Sequence, residues 1–141
     1  MNIGKGLAAV SALGWMLSLG GTGLAQENLI GAEAFRISCA VCHGADGKGD
    51  GEFAAMLTTK PSDLTVLKQN NSDKVFPYFD VFRTIDGRTE LPAHGSRLMP
   101  IWGNYFAGQP DVMAAQPFGA ELLIRARIVA LVDYVESIQV E

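Results

Sequence analysis

The sequence predicts an all-α protein with a single domain. The chain has 141 residues, which is enough for one modest hydrophobic core. No stretch alternates apolar and polar residues with the period of two that indicates a β-strand, and no internal repeat is present. Near the C-terminus, apolar residues recur at alternating intervals of four and three, as on one face of a helix: Ile124, Ile128, Leu131, Val135 and Ile138.

Residues 1–25 have the pattern of a secretory signal peptide. Lys5 supplies the positive end, residues 7–19 are almost entirely apolar or small, and Gly23-Leu24-Ala25 precedes a cleavage point before Gln26. The alternative is an uncleaved membrane anchor, although the apolar run is short for a spanning helix. The sequence therefore predicts a signal peptide over 1–25, a mature domain over 26–141 and a periplasmic location, with membrane attachment only if the signal is retained.

The charge of the chain argues against nucleic acid as a partner. The formal net charge is −4, and loss of residues 1–25 removes one basic residue, Lys5, which leaves a net charge of −5. No basic stripe is available to displace counterions from a phosphate backbone. Protein partners with basic docking surfaces remain possible.

The first half of the mature chain should contain short helices separated by turns. Asn28 is a candidate cap for a helix over 29–38, and residues 44–51 are rich in glycine and aspartate, which indicates a loop. A short helix should begin at Ser62-Asp63 and reach about Lys68. Another should run from about Ser72 to Asp86-Gly87, with Val75, Phe79 and Phe82 on one face.

The second half should be less regular until its final helix. Residues 91–106 contain two prolines and two glycines and are expected to form irregular chain. Residues 107–119 are expected to form a surface loop. The last helix should then run from about Phe118 to Gln139.

The segment Cys39-Ala40-Val41-Cys42-His43 has the spacing of a c-type haem attachment site. It contains the only two cysteines of the chain, and two thiols on one helical turn can form thioether bonds with a haem while the next imidazole binds the iron. A thioredoxin-like redox pair, a structural zinc site and a plain disulfide are the alternatives. The first needs a strand–helix context and the second needs four ligands, whereas the chain offers only His94 besides these residues.

A haem iron held by His43 has one further axial position, and a thioether sulfur suits an electron carrier. The candidates in the mature chain are Met56, Met99 and Met113. Met99 is the preferred candidate because Pro100 restricts the backbone of a strap that can present the side chain. His94 as a second imidazole ligand and an open sixth position are the alternatives.

The sequence resembles class I cytochrome c, a family with mitochondrial and bacterial periplasmic members. Gly31 and Phe35 precede the first cysteine at the spacing of the family's glycine and aromatic residue, and Leu131 and Tyr134 match its pair in the last helix. The resemblance implies a cytochrome c fold in which the first and last helices cross near these residues, with short helices and loops around one covalently bound haem.

The resemblance also implies roles for residues around the haem. The segment 60–64 resembles the family's proline-containing turn, so the Pro61 carbonyl is expected to accept a hydrogen bond from the His43 imidazole. Arg97, Trp102 and Tyr105 flank the methionine strap and could interact with a propionate, although core packing or a solvated surface would also account for them. Apolar residues expected to pack around the haem are Phe53, Leu57, Leu64, Ile85, Leu98 and Ile101.

The predicted function is the transfer of single electrons between redox proteins, either as a free carrier or as the cytochrome subunit of an oxidoreductase. No nucleophile or acid–base pair with a recognisable spacing indicates catalysis. The alternative is a haem enzyme or gas-binding sensor in which the sixth position is open or displaceable.

Overall fold

The computed structural model describes residues 22–89 and 99–140. Seven α-helices lie within these ranges, together with 3₁₀ helices at Ala54–Met56 and Leu64–Val66, and the described residues contain no β-strand. The α-helices are α1 (Thr22–Ser38), α2 (Ala40–His43), α3 (Leu67–Asn70), α4 (Tyr78–Asp86), α5 (Trp102–Ala107), α6 (Pro110–Met113) and α7 (Pro117–Ser137). The predicted all-α class is confirmed.

The last helix, α7, organises the hydrophobic core. Its first position is Pro117, whose fixed φ and missing N–H suit the start of a helix. Its predicted apolar face is buried, and α1, α4, α5 and α6 pack around it. The fully buried side chains of the core include Phe35, Val112, Ile128, Leu131 and Val132.

Helices α1 and α7 cross at the residues that the sequence indicated. Gly31 lies so close to α7 that a Cβ atom there would overlap the carbonyl oxygen of Ala130 and would lie 2.9 Å from the Tyr134 Cβ. The rings of Phe35 and Tyr134 pack beside this point, with centroids 5.0 Å apart. Glycine therefore allows the two helix backbones to touch, and the aromatic pair fills the space next to the contact.

The first helix is longer than predicted. It begins at Thr22, so Asn28 lies inside α1 and does not cap it. The residues before Asn28 include Leu24, Ala25 and Gln26, which favour helix formation and extend α1 toward the N-terminus. The predicted cleavage point before Gln26 thus lies within a helix, and cleavage itself stays a prediction.

The prediction for α4 was wrong about its start. The helix begins at Tyr78, directly after Pro77, and the preceding residues form turns. Val75 therefore lies outside the helix. Val75 and Phe79 are exposed, Phe82 is half-buried against the core, and Phe76 and Ile85 are buried. Gly87 ends the helix in a left-handed conformation, as its position suggested.

The segment predicted as irregular chain and surface loop contains two further helices, α5 and α6. Pro110 is the first residue of α6 and starts that helix instead of breaking it. In α5, Gly103 is buried against Asp86 at the end of α4 and against Arg88 just after it. This close packing outweighs the low helix propensity of glycine. Residues 90–98 lie outside the described residues. Among the described helices, none combines the length and apolar character needed to cross a membrane.

The crossing of α1 and α7 can be tested with Gly31→Ala. We expect this change to lower the free energy of unfolding by about 1–3 kcal/mol, because the added methyl group forces two backbones apart. Gly119→Ala is the matched control, since a Cβ atom at this second helical glycine meets only Ala115, at 3.6 Å. The control should be as stable as the parent or more stable, by up to about 1 kcal/mol. Urea denaturation measures both, and equal stability of the two variants would contradict the close contact.

Candidate functional site

The cysteines and the first histidine lie in one tight helical turn. Cys39 follows the end of α1, and its carbonyl oxygen accepts hydrogen bonds from the backbone N–H of Cys42 (3.1 Å) and His43 (2.9 Å). Residues three and four apart in a helical turn are neighbours on its surface, so the Cys42 and His43 side chains both neighbour that of Cys39. Both thiols are half-buried and neither forms a disulfide. The turn therefore presents two thiols and an imidazole together.

The fold around the two cysteines argues against a thioredoxin-like pair, because that pair needs a strand–helix context and the described residues contain no β-strand. Burial, with a smaller contribution from the neighbouring Cys42 thiol, raises the pKa of Cys39 to about 12. Because the thiolate is the nucleophile in thiol chemistry, Cys39 is the less reactive partner in this environment. Cys39 is held as a thiol.

A zinc site is also unsupported. Within the described residues, no group of three or more histidine, cysteine, aspartate or glutamate side chains is arranged to hold a metal ion. His94, the remaining candidate ligand besides the motif, lies outside the described residues.

A backbone carbonyl fixes the orientation of the His43 ring. The Nδ1 atom lies 3.1 Å from the carbonyl oxygen of Ser62. A carbonyl oxygen can only accept, so Nδ1 carries the proton and donates it, which leaves the lone pair of Nε2 free to bind a metal. The hydrogen bond also restricts rotation of the half-buried imidazole.

The prediction that Pro61 accepts this hydrogen bond was wrong by one residue. The Pro61 carbonyl lies against the backbone of Gly49 and not against the imidazole. Gly49 is also bound to the histidine, because its N–H donates to the carbonyl oxygen of His43 at 2.7 Å. Gly49 therefore lies between His43 and the proline-containing turn. The proline-containing turn is therefore next to the histidine as expected, but Ser62 supplies the acceptor.

The segment that carries Ser62 is attached to the C-terminal end of the chain. The Gln139 side chain donates to the carbonyl oxygen of Leu64 at 2.6 Å and accepts from the N–H of Lys68 at 2.9 Å. The N–H of Val140 donates to the carbonyl oxygen of Thr65 at 2.9 Å. Sequence reasoning missed Gln139, because an amide beyond a helix end carries no recognisable signal.

Met99 is the least exposed of the three candidate methionines. Its side chain is half-buried and packs against the hydrophobic core, whereas Met56 and Met113 are 67% and 71% exposed. Met99 leads directly into α5 through Pro100. This placement suits a thioether presented toward the interior, and ligation itself stays a prediction.

The residues predicted near a propionate are only partly described. Arg97 lies outside the described residues. Trp102 is half-buried, and its ring centroid lies 5.3 Å from that of Tyr105 and 6.1 Å from that of Phe106. Tyr105 is 52% exposed, so its hydroxyl-bearing ring extends from the aromatic cluster. The propionate contacts of Trp102 and Tyr105 stay predictions.

An apolar surface flanks the attachment turn and fits a large flat apolar group. Phe53 and Leu57 are 48% and 41% exposed, and the N–H of Phe53 donates to the carbonyl oxygen of Val41 inside the motif. Two other predicted packing residues belong to the core, since Ile85 is buried there and Leu64 packs against it, while Ile101 is half-buried. Leu98 lies outside the described residues. Two thiols, one oriented imidazole and exposed apolar side chains therefore lie together at this turn.

The comparisons with known proteins identify one family. A family model described as cytochrome c matches residues 29–139, which is well over half of the chain and includes the cysteine motif, the larger part of α1 and all of α7. No curated protein and no solved structure matches the chain at the significance required.

The contribution of Gln139 can be tested with Gln139→Ala. We expect the free energy of unfolding to fall by about 1–3 kcal/mol, since the change leaves the backbone groups of Leu64 and Lys68 without their partners. Gln116→Ala is the matched control, because Gln116 precedes α7 and its side chain makes no capping hydrogen bond. The control should stay within about 0.5 kcal/mol of the parent. Denaturant titration of both variants would show no difference between them if Gln139 were an ordinary surface residue.

Proposed function

The chain belongs to the cytochrome c family of haem-binding electron-transfer proteins, and from this premise we propose that it is an exported cytochrome with a single haem c. The observation that carries the proposal is the Cys39–His43 turn, in which two unpaired thiols accompany an imidazole whose Nδ1 is held by Ser62. Cys39 and Cys42 would form the two thioether bonds. His43 would bind the iron through Nε2, and Met99 would supply the second axial ligand.

The bound haem would supply a reversible ferric–ferrous couple. The work of the chain is to keep both ligands in place in each redox state. The Ser62 carbonyl fixes one imidazole orientation, and Pro100 restricts the backbone next to Met99. A thioether favours the ferrous state more than a second imidazole does, and apolar surroundings disfavour the extra charge of the ferric state. The expected result is a raised reduction potential.

Several features support a periplasmic carrier or a subunit of an oxidoreductase. Residues 1–25 have the signal-peptide pattern, and haem attachment of this type accompanies export in the family that the chain resembles. The mature chain would carry a net charge of −5, which favours redox partners with basic docking surfaces. A haem enzyme or gas-binding sensor is the competing function, and it differs at the sixth ligand.

Covalent attachment can be tested by denaturing mass spectrometry of the chain expressed with an export and maturation system. The purified protein should be heavier than the polypeptide that begins at Gln26 by one haem, because both thiols are consumed in thioether bonds. The Cys39→Ala, Cys42→Ala double variant should lack this added mass. An unmodified chain with two free thiols, purified from the same host, would contradict the proposal.

The second axial ligand can be tested in the visible spectrum of the ferric protein. Met99→Leu should abolish the weak sulfur-to-iron charge-transfer band at the red end of the spectrum, because leucine has no donor atom. Met56→Leu and Met113→Leu should keep the band, since both residues are exposed. A parent protein that lacks the band and binds cyanide rapidly would favour the enzyme or sensor. If all three variants keep the band, Met99 is not the ligand.

A further inference from the structure

An ion-pair cluster joins the C-terminal end of α4 to α7 and lies against the first turn of α5. Arg88 follows α4, and its Nε donates to Asp86 Oδ1 at 2.5 Å, while its Nη1 and Nη2 donate to the two oxygens of Glu121 at 2.7 and 3.1 Å. Nη2 also lies 3.3 Å from Asp86 Oδ2. One guanidinium group therefore donates hydrogen bonds to two carboxylates, which is the geometry of a strong charge-assisted interaction. We refer to Asp86, Arg88 and Glu121 as the Arg88 cluster.

The cluster is shielded from solvent more than an ordinary surface pair. The side chains of Arg88 and Asp86 are 26% and 16% exposed, and that of Glu121, the outer member, is 41% exposed. Hydrogen bonds from Arg88, and then from Arg125, lower the pKa of Glu121 to about 2, and the two carboxylates raise the pKa of Arg88. Arg88 and Glu121 are thus charged at neutral pH. Partly shielded pairs with such geometry are screened less by salt than exposed pairs.

The first turn of α5 rests directly on this cluster. A Cβ atom at Gly103 would overlap the Asp86 carboxylate and would lie 2.6 Å from the Nε of Arg88 and 2.8 Å from its Cδ. Gly103 is buried and follows Met99 by four residues, with Pro100 between them. The position of α5 against α4 and α7 therefore depends on the Arg88 cluster, and the backbone that carries Met99 is short and restricted.

We propose that the Arg88 cluster is a positioning device for Met99: it fixes the first turn of α5 and thereby keeps the methionine sulfur at the iron. The inference rests on the proposed function, because it takes Met99 as the axial ligand. In this proposal the cluster has a positioning role and supplies no ligand to the iron. Its effect is to lower the frequency with which the sulfur leaves and another ligand enters.

Competition with imidazole in the ferric holoprotein tests the proposal. Glu121→Gln removes the carboxylate that ties Arg88 to α7, while Asp86 still pairs with Arg88. We expect imidazole to displace Met99 roughly tenfold faster, followed as loss of the charge-transfer band, because a charge-assisted hydrogen bond contributes on this scale. Gly103→Ala disturbs the same contact from α5 and should act in the same direction.

Two control variants separate positioning from general stability. Arg125→Gln removes the other, more exposed partner of Glu121 and leaves the Arg88 cluster intact, so displacement should stay within about twofold of the parent. Asp111→Asn breaks the pair between α6 and Arg127 of α7, which is also an ion pair between elements. It should lower the free energy of unfolding without accelerating displacement. A merely structural role of Glu121 would make Glu121→Gln and Asp111→Asn behave alike.

The outcomes distinguish this proposal from the proposed function. If the parent ferric protein lacks the charge-transfer band, Met99 is not the ligand, and both the axial assignment and the positioning role are overturned. If the parent has the band but Glu121→Gln exchanges imidazole at the parent rate, the axial assignment stands and the positioning role alone is wrong.

Discussion

The contact between the backbones of α1 and α7 at Gly31 is the constraint on which the rest of the structure depends. It brings together two helices from opposite ends of the described chain, and the Phe35–Tyr134 pair packs beside it. Because α1 ends at the attachment turn, the contact also determines where Cys39 and His43 lie relative to the core. A side chain at position 31 would shift the turn as well as the helices.

Helix α7 serves as the common reference for both sides of the proposed metal site. Beyond its C-terminal end, Gln139 holds the segment that supplies the Ser62 carbonyl to His43. Near its N-terminal end, Glu121 pairs with Arg88, against which α5 and hence the strap after Met99 are packed. Gln139 and Glu121 thus connect the two ends of α7 to the surroundings of the two proposed ligands. The ligand geometry is a property of the whole fold.

The sequence was informative where a pattern corresponds to one physical requirement. The period of α7, the cysteine motif and the glycine at the crossing each have few structural solutions, and the structure agrees with all of these placements. It was uninformative where tertiary contacts outweigh local preference. The sequence predicts a surface loop around Pro110, which instead starts α6. It predicts irregular chain around Gly103, which instead lies in α5 against Arg88.

Hydrogen-bond partners on the backbone could be predicted only approximately. A motif indicates that a turn lies near His43, but it does not indicate which of the neighbouring carbonyl groups, Pro61 or Ser62, is the acceptor. Ion pairs such as Arg88 with Glu121 join residues that are remote in sequence, and no single-chain pattern relates them.

The attachment turn has a consequence for the order in which the molecule assembles. Its hydrogen bonds are local, for they join Cys39 to His43, His43 to Gly49 and Val41 to Phe53, so closing them restricts only short stretches of chain. The helix crossing instead joins Gly31 to Ala130 and requires closure of most of the polypeptide. The cysteines can therefore adopt their mutual arrangement while the C-terminal part is still undocked and both thiols remain accessible to modifying enzymes.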